Sequence, residues 1–386
     1  MMLKNFTIYN GGVKLFFGLN VVEEMSNLIE QSSRILIVMG KRSAKVSGAF
    51  DEVISVLKNT DSSIEVWDKA EPNPTDRLVE ELKTILNENF QYIIAIGGGS
   101  VIDLAKASRV LYSCGGSIRE YLYGVKRVCR DLKPPLIAVN LTHGTGSEID
   151  RYSVVTLTDT REKIGFNAGY PYASFDDPRY TVSLSRNHTI YVTMDAFAHA
   201  VESATSRFSS PYTELLARET IDLIVKYLPR ALENPTEITY RYWLMYASML
   251  AGIGIDHGVT HIGHGLEHVL TGLNPNLPHG AGLAILYKEL IGLIYRGNPV
   301  TMAKILKPLD PSLTPEPSDA EKARRAYIKF LDEIGFYETL SDYGFSIDSV
   351  KEIQERYSKL APKRYEPLSP FEVKPEEIAE IVLSLL

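Results

Sequence analysis

All eight histidines of this 386-residue chain lie between His143 and His279, and five of them fall within residues 257–279. Imidazoles gathered this closely are a resource for metal binding or proton transfer. Asp195 and His199 stand four residues apart, which on a helix places both on one face and lets them chelate a single ion. His257, His261, His264 and His268 follow at intervals of four, three and four, which predicts one stripe along a single helix, and His279 comes next in Pro278-His279-Gly280. A lone histidine of this kind is ordinarily a hydrogen-bonded core or surface residue; five with a carboxylate form a donor set. Nitrogen and oxygen donors without a thiolate suit Fe(II), Zn(II), Co(II) or Ni(II), and such an ion acts as a Lewis acid on a substrate oxygen. Spacing does not choose among the histidines.

A second group of residues suits phosphate. Gly97, Gly98, Gly99 and Ser100 stand between the apolar run Tyr92 to Ile96 and the helical pattern Val101 to Ala107. Glycines at a strand-to-helix turn let backbone amides approach an anion at the helix N-terminus. The competing explanation is a tight turn that needs positive φ. Ser100 and Asp103 have capping-box spacing. Gly144 to Glu148 (GTGSE) stands in the same relation to Pro135–Val139. Two such turns after parallel strands fit one elongated dinucleotide.

The elements that must position these groups are legible in outline. The length predicts two domains. Arg34 to Met39, Ser63 to Trp67, Tyr92 to Ile96 and Pro135 to Val139 read as buried strands, and the stretch opened by Pro74 and Thr75 has helical spacing. Alternating strand and helix predicts a parallel α/β sheet over 1–184. From 185 to 386 strand signals stop and helical patterns continue, interrupted by a surface loop at Pro308–Pro317. A formal charge of −7 excludes the basic excess of a dedicated nucleic-acid binder. No apolar run is long enough to span a membrane and MMLKNFTIYN has no leader pattern, so a cytoplasmic protein is expected. Cys114 and Cys129 are read as ordinary thiols.

Taken together, Gly97–Lys106 (GGGSVIDLAK), GTGSE, Asp177-Pro178, Asp195–Glu202 (DAFAHAVE), His264–His268 (HGLEH) and Pro278–Gly280 (PHG) resemble the iron-dependent, or group III, alcohol dehydrogenase family over nearly the whole chain. The resemblance implies a Rossmann-like dinucleotide-binding domain, an all-helical C-terminal domain in a dehydroquinate synthase-like fold, and a metal in the cleft between them. The implied ligands are Asp195, His199, His264 and His279, for Fe(II) first and Zn(II) as the alternative. His268 matches a family histidine near the reacting centre that does not ligate, and is assigned as a proton relay. Cofactor contacts are implied at Gly40, Lys41, Arg42, Ser43, Gly97, Gly98, Gly99, Ser100, Asp103, Thr142, Thr145, Ser147 and Lys163. The expected reaction moves a hydride between a nicotinamide cofactor and a small alcohol or aldehyde, in a homodimer built through Phe6 to Gly18.

The chain also departs from that pattern. NAD-preferring members carry an Asp where this chain has Gly40, followed here by Lys41 and Arg42. Losing a carboxylate and gaining two cations suits a 2′-phosphate, so NADP(H) is expected over NAD(H). Asn140 and His143 replace a more typical proline and small residue, the stretch from His264 to His279 is one residue longer, and His257 and His261 are extra. His143, His257 and His261 receive no role. A glycerol-type polyol dehydrogenase, a dehydroquinate-synthase-like cyclase and a non-catalytic nucleotide- or metal-binding relative are the rivals. The Asp195/His199 pair and GGGSVIDLAK favour the alcohol dehydrogenase branch over the cyclases.

Overall fold

The computed structural model describes residues 5–86 and 89–386; residues 1–4, which begin the MMLKNFTIYN segment, lie outside the described residues. The chain forms two compact units, one of residues up to Leu184 with Thr236–Met245, the other of Ser185–Pro235 with Tyr246–Leu386.

In the first unit the short apolar runs become strands. They are β1 (Phe6–Asn10), β2 (Val13–Phe17), β3 (Arg34–Gly40), β4 (Ser63–Ala70), β5 (Tyr92–Gly97), β6 (Leu136–Asn140), β7 (Tyr152–Thr156), β8 (Lys163–Asn167) and β9 (Ala173–Asp176). Between them run α1 (Ser43–Val46), α2 (Ala49–Leu57), α3 (Asp76–Leu86), α4 (Gly99–Cys114) and α5 (Ile118–Leu122). Seven strands form one sheet in the order β1-β2-β9-β6-β5-β3-β4, parallel except where β1 pairs with β2. β7 and β8 form a separate antiparallel hairpin. Alternate residues of β3 feed two cores: Leu36 and Val38 pack with Val79, Leu104 and Leu111 on one face, and Ile35, Ile37 and Met39 with Val53 and Leu57 on the other. That double burial explains why the strand reads as a continuous apolar run. β7 and β8 escape such a reading because neither is buried on both faces, and β9 because it has only four residues.

Two expectations are corrected in this unit. Cys114 and Cys129 form a disulfide and are not ordinary thiols; the loop after α4 folds back until their Cα atoms are 5.6 Å apart, which a separation of 15 residues does not reveal. Ser100 and Asp103 make no capping box, because α4 starts one residue before Ser100, with Gly98 at its N-cap and no side chain capping it. The Ser100 hydroxyl instead accepts from the Asn73 amide at 3.3 Å.

The second unit is helical, with α6 (Arg186–Thr205), α7 (Pro211–Glu233), α8 (Ile238–Gly258, whose first residues belong to the other unit), α9 (Ile262–Leu273), α10 (His279–Gly297), α11 (Pro299–Ile305), α12 (Ala320–Glu333), α13 (Ile347–Arg364) and α14 (Pro375–Ser384). Ser185 starts α6 by accepting from the His188 amide, and Ser210 with Pro211 starts α7. Pro308–Pro317 is a loop inside this unit. Here the predicted single histidine stripe is overturned: α8 stops at Gly258, Val259 turns the backbone with φ of 58°, and α9 begins at Ile262 with His261 as its N-cap. No helix among the described residues is long and apolar enough to cross a membrane.

Candidate functional site

Three helices of the second unit bring the donor set together. Asp195 and His199 project from one face of α6, His264 from the first turn of α9, and His279 from the first residue of α10. Asp195 Oδ1 lies 3.6 Å from His199 Nε2, 3.4 Å from His264 Nε2 and 3.6 Å from His279 Nε2. The His199 and His264 rings stack with centroids 4.5 Å apart. α10 can deliver His279 because Gly280 has no side chain; a Cβ there would run into the Tyr191 carbonyl of α6.

Two carboxylates that received no role above aim these rings. Glu202, three residues after His199 on α6, accepts from His264 Nδ1 at 2.7 Å and from the His261 amide at 2.8 Å, with the Gly263 and His264 amides also donating to it. One side chain thus caps α9 and turns the Nε2 of His264 toward Asp195. Glu267 orients the His279 ring, whose Nδ1 it meets while also accepting from Thr271. Their signal was present in the sequence: Asp195, His199 and Glu202 follow a four-then-three spacing on one helix, and Glu267 sits three residues after His264.

The residues fit a divalent ion. Asp195 Oδ1 and His264 Nε2 are buried and have no hydrogen-bond partner, although they face each other. Buried polar atoms rarely go unsatisfied, so a carboxylate oxygen and an imidazole lone pair left in this way call for a cation. Burial opposes charge on Asp195, but His199, His279 and His264 more than offset it and hold the carboxyl well below its ordinary range. Burial likewise opposes ionisation of Glu202, which His261 and His264 pull down to about 2. The ligand atoms of Asp195, His199 and His264 form one mutually close set, and Glu267, His268 and His279 form another beside it.

The remaining histidines separate. The His268 ring lies 5.6 Å from that of His279, and Tyr365 Oη is 3.4 Å from its Nδ1. His261 is buried, with Nε2 3.0 Å from Thr205 Oγ1. His257 is exposed on α8 with its ring against Tyr212. His143 is fully buried in the turn after β6.

In the first unit the two glycine-bearing turns leave paired strand ends, since Gly97 is in register with Asn140. None of Gly97, Gly98 and Gly99 has positive φ, so a tight turn does not account for them. Room does: a Cβ on Gly98 would lie 2.7 Å from Thr142, and one on Gly99 2.5 Å from Thr145. Gly98, Ser100, Thr142 and Thr145 keep accessible surface at the start of α4, which no side chain caps. Asp103 and Ser147 are engaged otherwise. The Ser147 hydroxyl donates to Asp103 at 2.5 Å and accepts from the buried Lys106 ammonium, which is also 3.1 Å from Asp150. This network ties the turn to α4. Lys163, on β8, is buried. Gly40 ends β3 where a Cβ would come within 3.2 Å of the Ala70 carbonyl, while Lys41, Arg42 and Ser43 are exposed.

Comparison with known proteins agrees with the motif resemblance. Residues 12–178 match the family described as iron-containing alcohol dehydrogenase, and residues 189–386 match the C-terminal part of the Fe-containing alcohol dehydrogenase family. The chain is 36% identical over 355 residues to the long-chain primary alcohol dehydrogenase AdhA of Thermoanaerobacter ethanolicus, covering 90% of this chain and 88% of that one. It is 31% identical over 338 residues to the 1,3-propanediol dehydrogenase of Klebsiella pneumoniae, covering 85% and 86%. The solved alcohol dehydrogenase from Oenococcus oeni matches with a TM-score of 0.89 at 26% identity, over 100% of both chains. A parallel sheet with a glycine-lined turn, a helical unit with a convergent Asp/His set, and matches across both units place this chain in the iron-containing alcohol dehydrogenase family, which implies a divalent metal, usually iron, and a nicotinamide cofactor.

Proposed function

We propose that this protein reversibly transfers a hydride between NADP(H) and an alcohol/aldehyde pair, with Asp195, His199, His264 and His279 holding the divalent ion. The observation that carries the reading is the buried, unpartnered pair Asp195 Oδ1 and His264 Nε2 with two more imidazoles around the same carboxylate. When bound, the ion supplies a Lewis acid for the substrate oxygen and the dinucleotide the hydride donor or acceptor. Glu202 and Glu267 keep the His264 and His279 rings oriented, and so hold the site ready before substrate arrives. His268 sits beside that site with Tyr365 at its Nδ1, and takes or returns the proton of the alcohol at a ring nitrogen. Gly98, Ser100, Thr142, Thr145 and the first amides of α4 bind the cofactor phosphates.

Lys41 and Arg42 support the NADP(H) assignment: both are exposed at the end of β3 and neither is in an ion pair among the described residues. A homodimer through β1, the edge strand of the sheet, completes the proposal. The decisive experiment loads the protein anaerobically with Fe(II) or Zn(II), measures metal stoichiometry, and compares kcat/KM for NADPH and NADH. The substrate panel is led by long-chain primary aldehydes and 3-hydroxypropanal, which follow from the names of the relatives. One bound ion, turnover and an NADPH advantage are expected; an NADH advantage rejects the cofactor assignment. Stoichiometric cofactor binding without turnover on any substrate rejects the enzyme.

A further inference from the structure

The first unit contains a recess that the hydride-transfer reading leaves unused. It has a volume of about 790 Å³ and is lined by the β1–β2 turn, the loop after α5 and the segment from β8 to β9. Four cations line it, Arg109, Lys126, Arg127 and Arg130, in a chain whose formal net charge is −7. The one acid among its lining residues, Asp131, is 3.3 Å from Lys133.

Arg109, on α4, is the unusual member. It is 2% exposed, its Nη2 donates to the Tyr170 carbonyl at 2.8 Å, and its buried Nε has no partner. No carboxylate among the described residues pairs with it. A buried guanidinium without a counter-charge is costly, and such groups are retained where something pairs with them. Burial lowers its pKa only to about 10, so the charge persists at neutral pH. Arg127 and Arg130 are exposed and make no ion pair among the described residues. The Cys114–Cys129 disulfide ties the segment between them to the end of α4, and Lys126 Nζ donates to the Cys114 carbonyl at 2.7 Å. The loop that carries Arg127 and Arg130 is therefore anchored beside the recess, and Lys126 is fixed by its own contact. Tyr121, Phe166 and Tyr172 add aromatic surface.

We propose that this recess binds a small phosphate-bearing organic anion, with Arg109 meeting the phosphate from the interior and Arg127 and Arg130 from the solvent side. Guanidinium forks match phosphate oxygens two at a time, and several cations with one neutralised acid favour a multiply charged group over a single carboxylate. The volume is in the ordinary range for small-molecule sites. None of these residues belongs to the cofactor cradle or the metal set.

The test is calorimetric titration of pyrophosphate into the full-length protein saturated with NADPH, so that the cradle at Gly97–Ser100 is already filled. One saturable site is expected, weakened about tenfold or more in Arg127→Glu/Arg130→Glu, the loss of two charge-assisted contacts, with melting temperature and KM for NADPH unchanged. Arg109→Gln is expected to abolish the site, but it disturbs a buried hydrogen bond, so the exposed double variant decides. Absence of saturable binding overturns the proposal, as does equal affinity in the double variant. Acetate binding as tightly as pyrophosphate overturns the phosphate assignment. If the protein takes up no NADPH, the double variant still separates this recess from the cradle, so the two readings fail independently.

Discussion

Glu202 shows how much of the proposed site is carried by residues outside the Asp195 donor set. Its carboxylate accepts hydrogen bonds from His264 Nδ1 and from the amides that open α9, so one side chain sets both a ring and a helix start. Glu202→Gln keeps the shape and loses the charge, and metal affinity is expected to fall about 10–100-fold in competition with a chelator. Unchanged affinity removes the positioning role. His268 is a different case, because it lies beside the donor set without completing it. His268→Ala is expected to retain full metal content while turnover drops by about 10²–10⁴ and the pH–rate profile loses a limb. An unaltered profile with metal bound rejects the relay. Both residues stand in motifs legible in the sequence, but only the contacts show that Glu202 holds the His264 ring and that His268 lies outside the Asp195, His199 and His264 set.

At the scale of elements, the site depends on helix ends. His264 and His279 occupy first turns of α9 and α10, where a small rotation of the helix moves the imidazole sideways. α10 is seated by the close approach of Gly280 to the α6 backbone at Tyr191. Gly280→Ala forces these helices apart; a loss of roughly 1–3 kcal/mol is expected in denaturant titrations, as for overpacked cores, together with weaker metal retention. A variant as stable as the parent that holds its metal as tightly contradicts this account. The break between α8 and α9 has the same origin. A spacing of four, three and four reads as one helix, but the backbone turns at Val259, and the amides freed by that turn are bound by Glu202 and not by the preceding helical turn. Periodicity cannot register a cap supplied by another helix.

For the molecule as a whole, the first unit buries carboxyls that the proposed chemistry does not use. Asp176 Oδ1 accepts from Asn140 at 3.1 Å while its Oδ2 is buried without a partner, and burial pushes the carboxyl up to about 7. Burial also pushes Asp150 up to about 7, against the pull of Lys106. Both pKa values are raised, so the folded protein holds protons that the unfolded chain releases near ~4. Their contribution to stability is complete below that point and is lost as pH rises through about 7. The melting temperature is therefore expected to fall between pH 5 and pH 8, and Asp176→Asn to flatten the fall and stabilise the protein at the upper end, on the order of 1–3 kcal/mol. A steeper fall in the variant reverses the sign of this argument.

Local geometry explains what the sequence by itself determined. The Asp195/His199 pair is set by the 3.6-residue helical repeat, the runs of β3, β5 and β6 by short continuous apolar stretches, and the turn at Gly97–Ser100 by glycines between such a run and a helical pattern, all of which depend only on near neighbours. Spacing left open which histidines join Asp195 and the motif resemblance implied His264 and His279; the tertiary structure supplies the reason, since these two come from helices whose starts are set by Glu202 and by contact with Tyr191, and His257 is left facing solvent. It also decided that Gly98 and Gly99 are required by the threonines of another turn, that Cys114 meets Cys129, and that Arg109 is buried without a counter-charge. Each of these pairings links residues distant in the chain, and no periodic pattern along the sequence records where the chain turns back on itself.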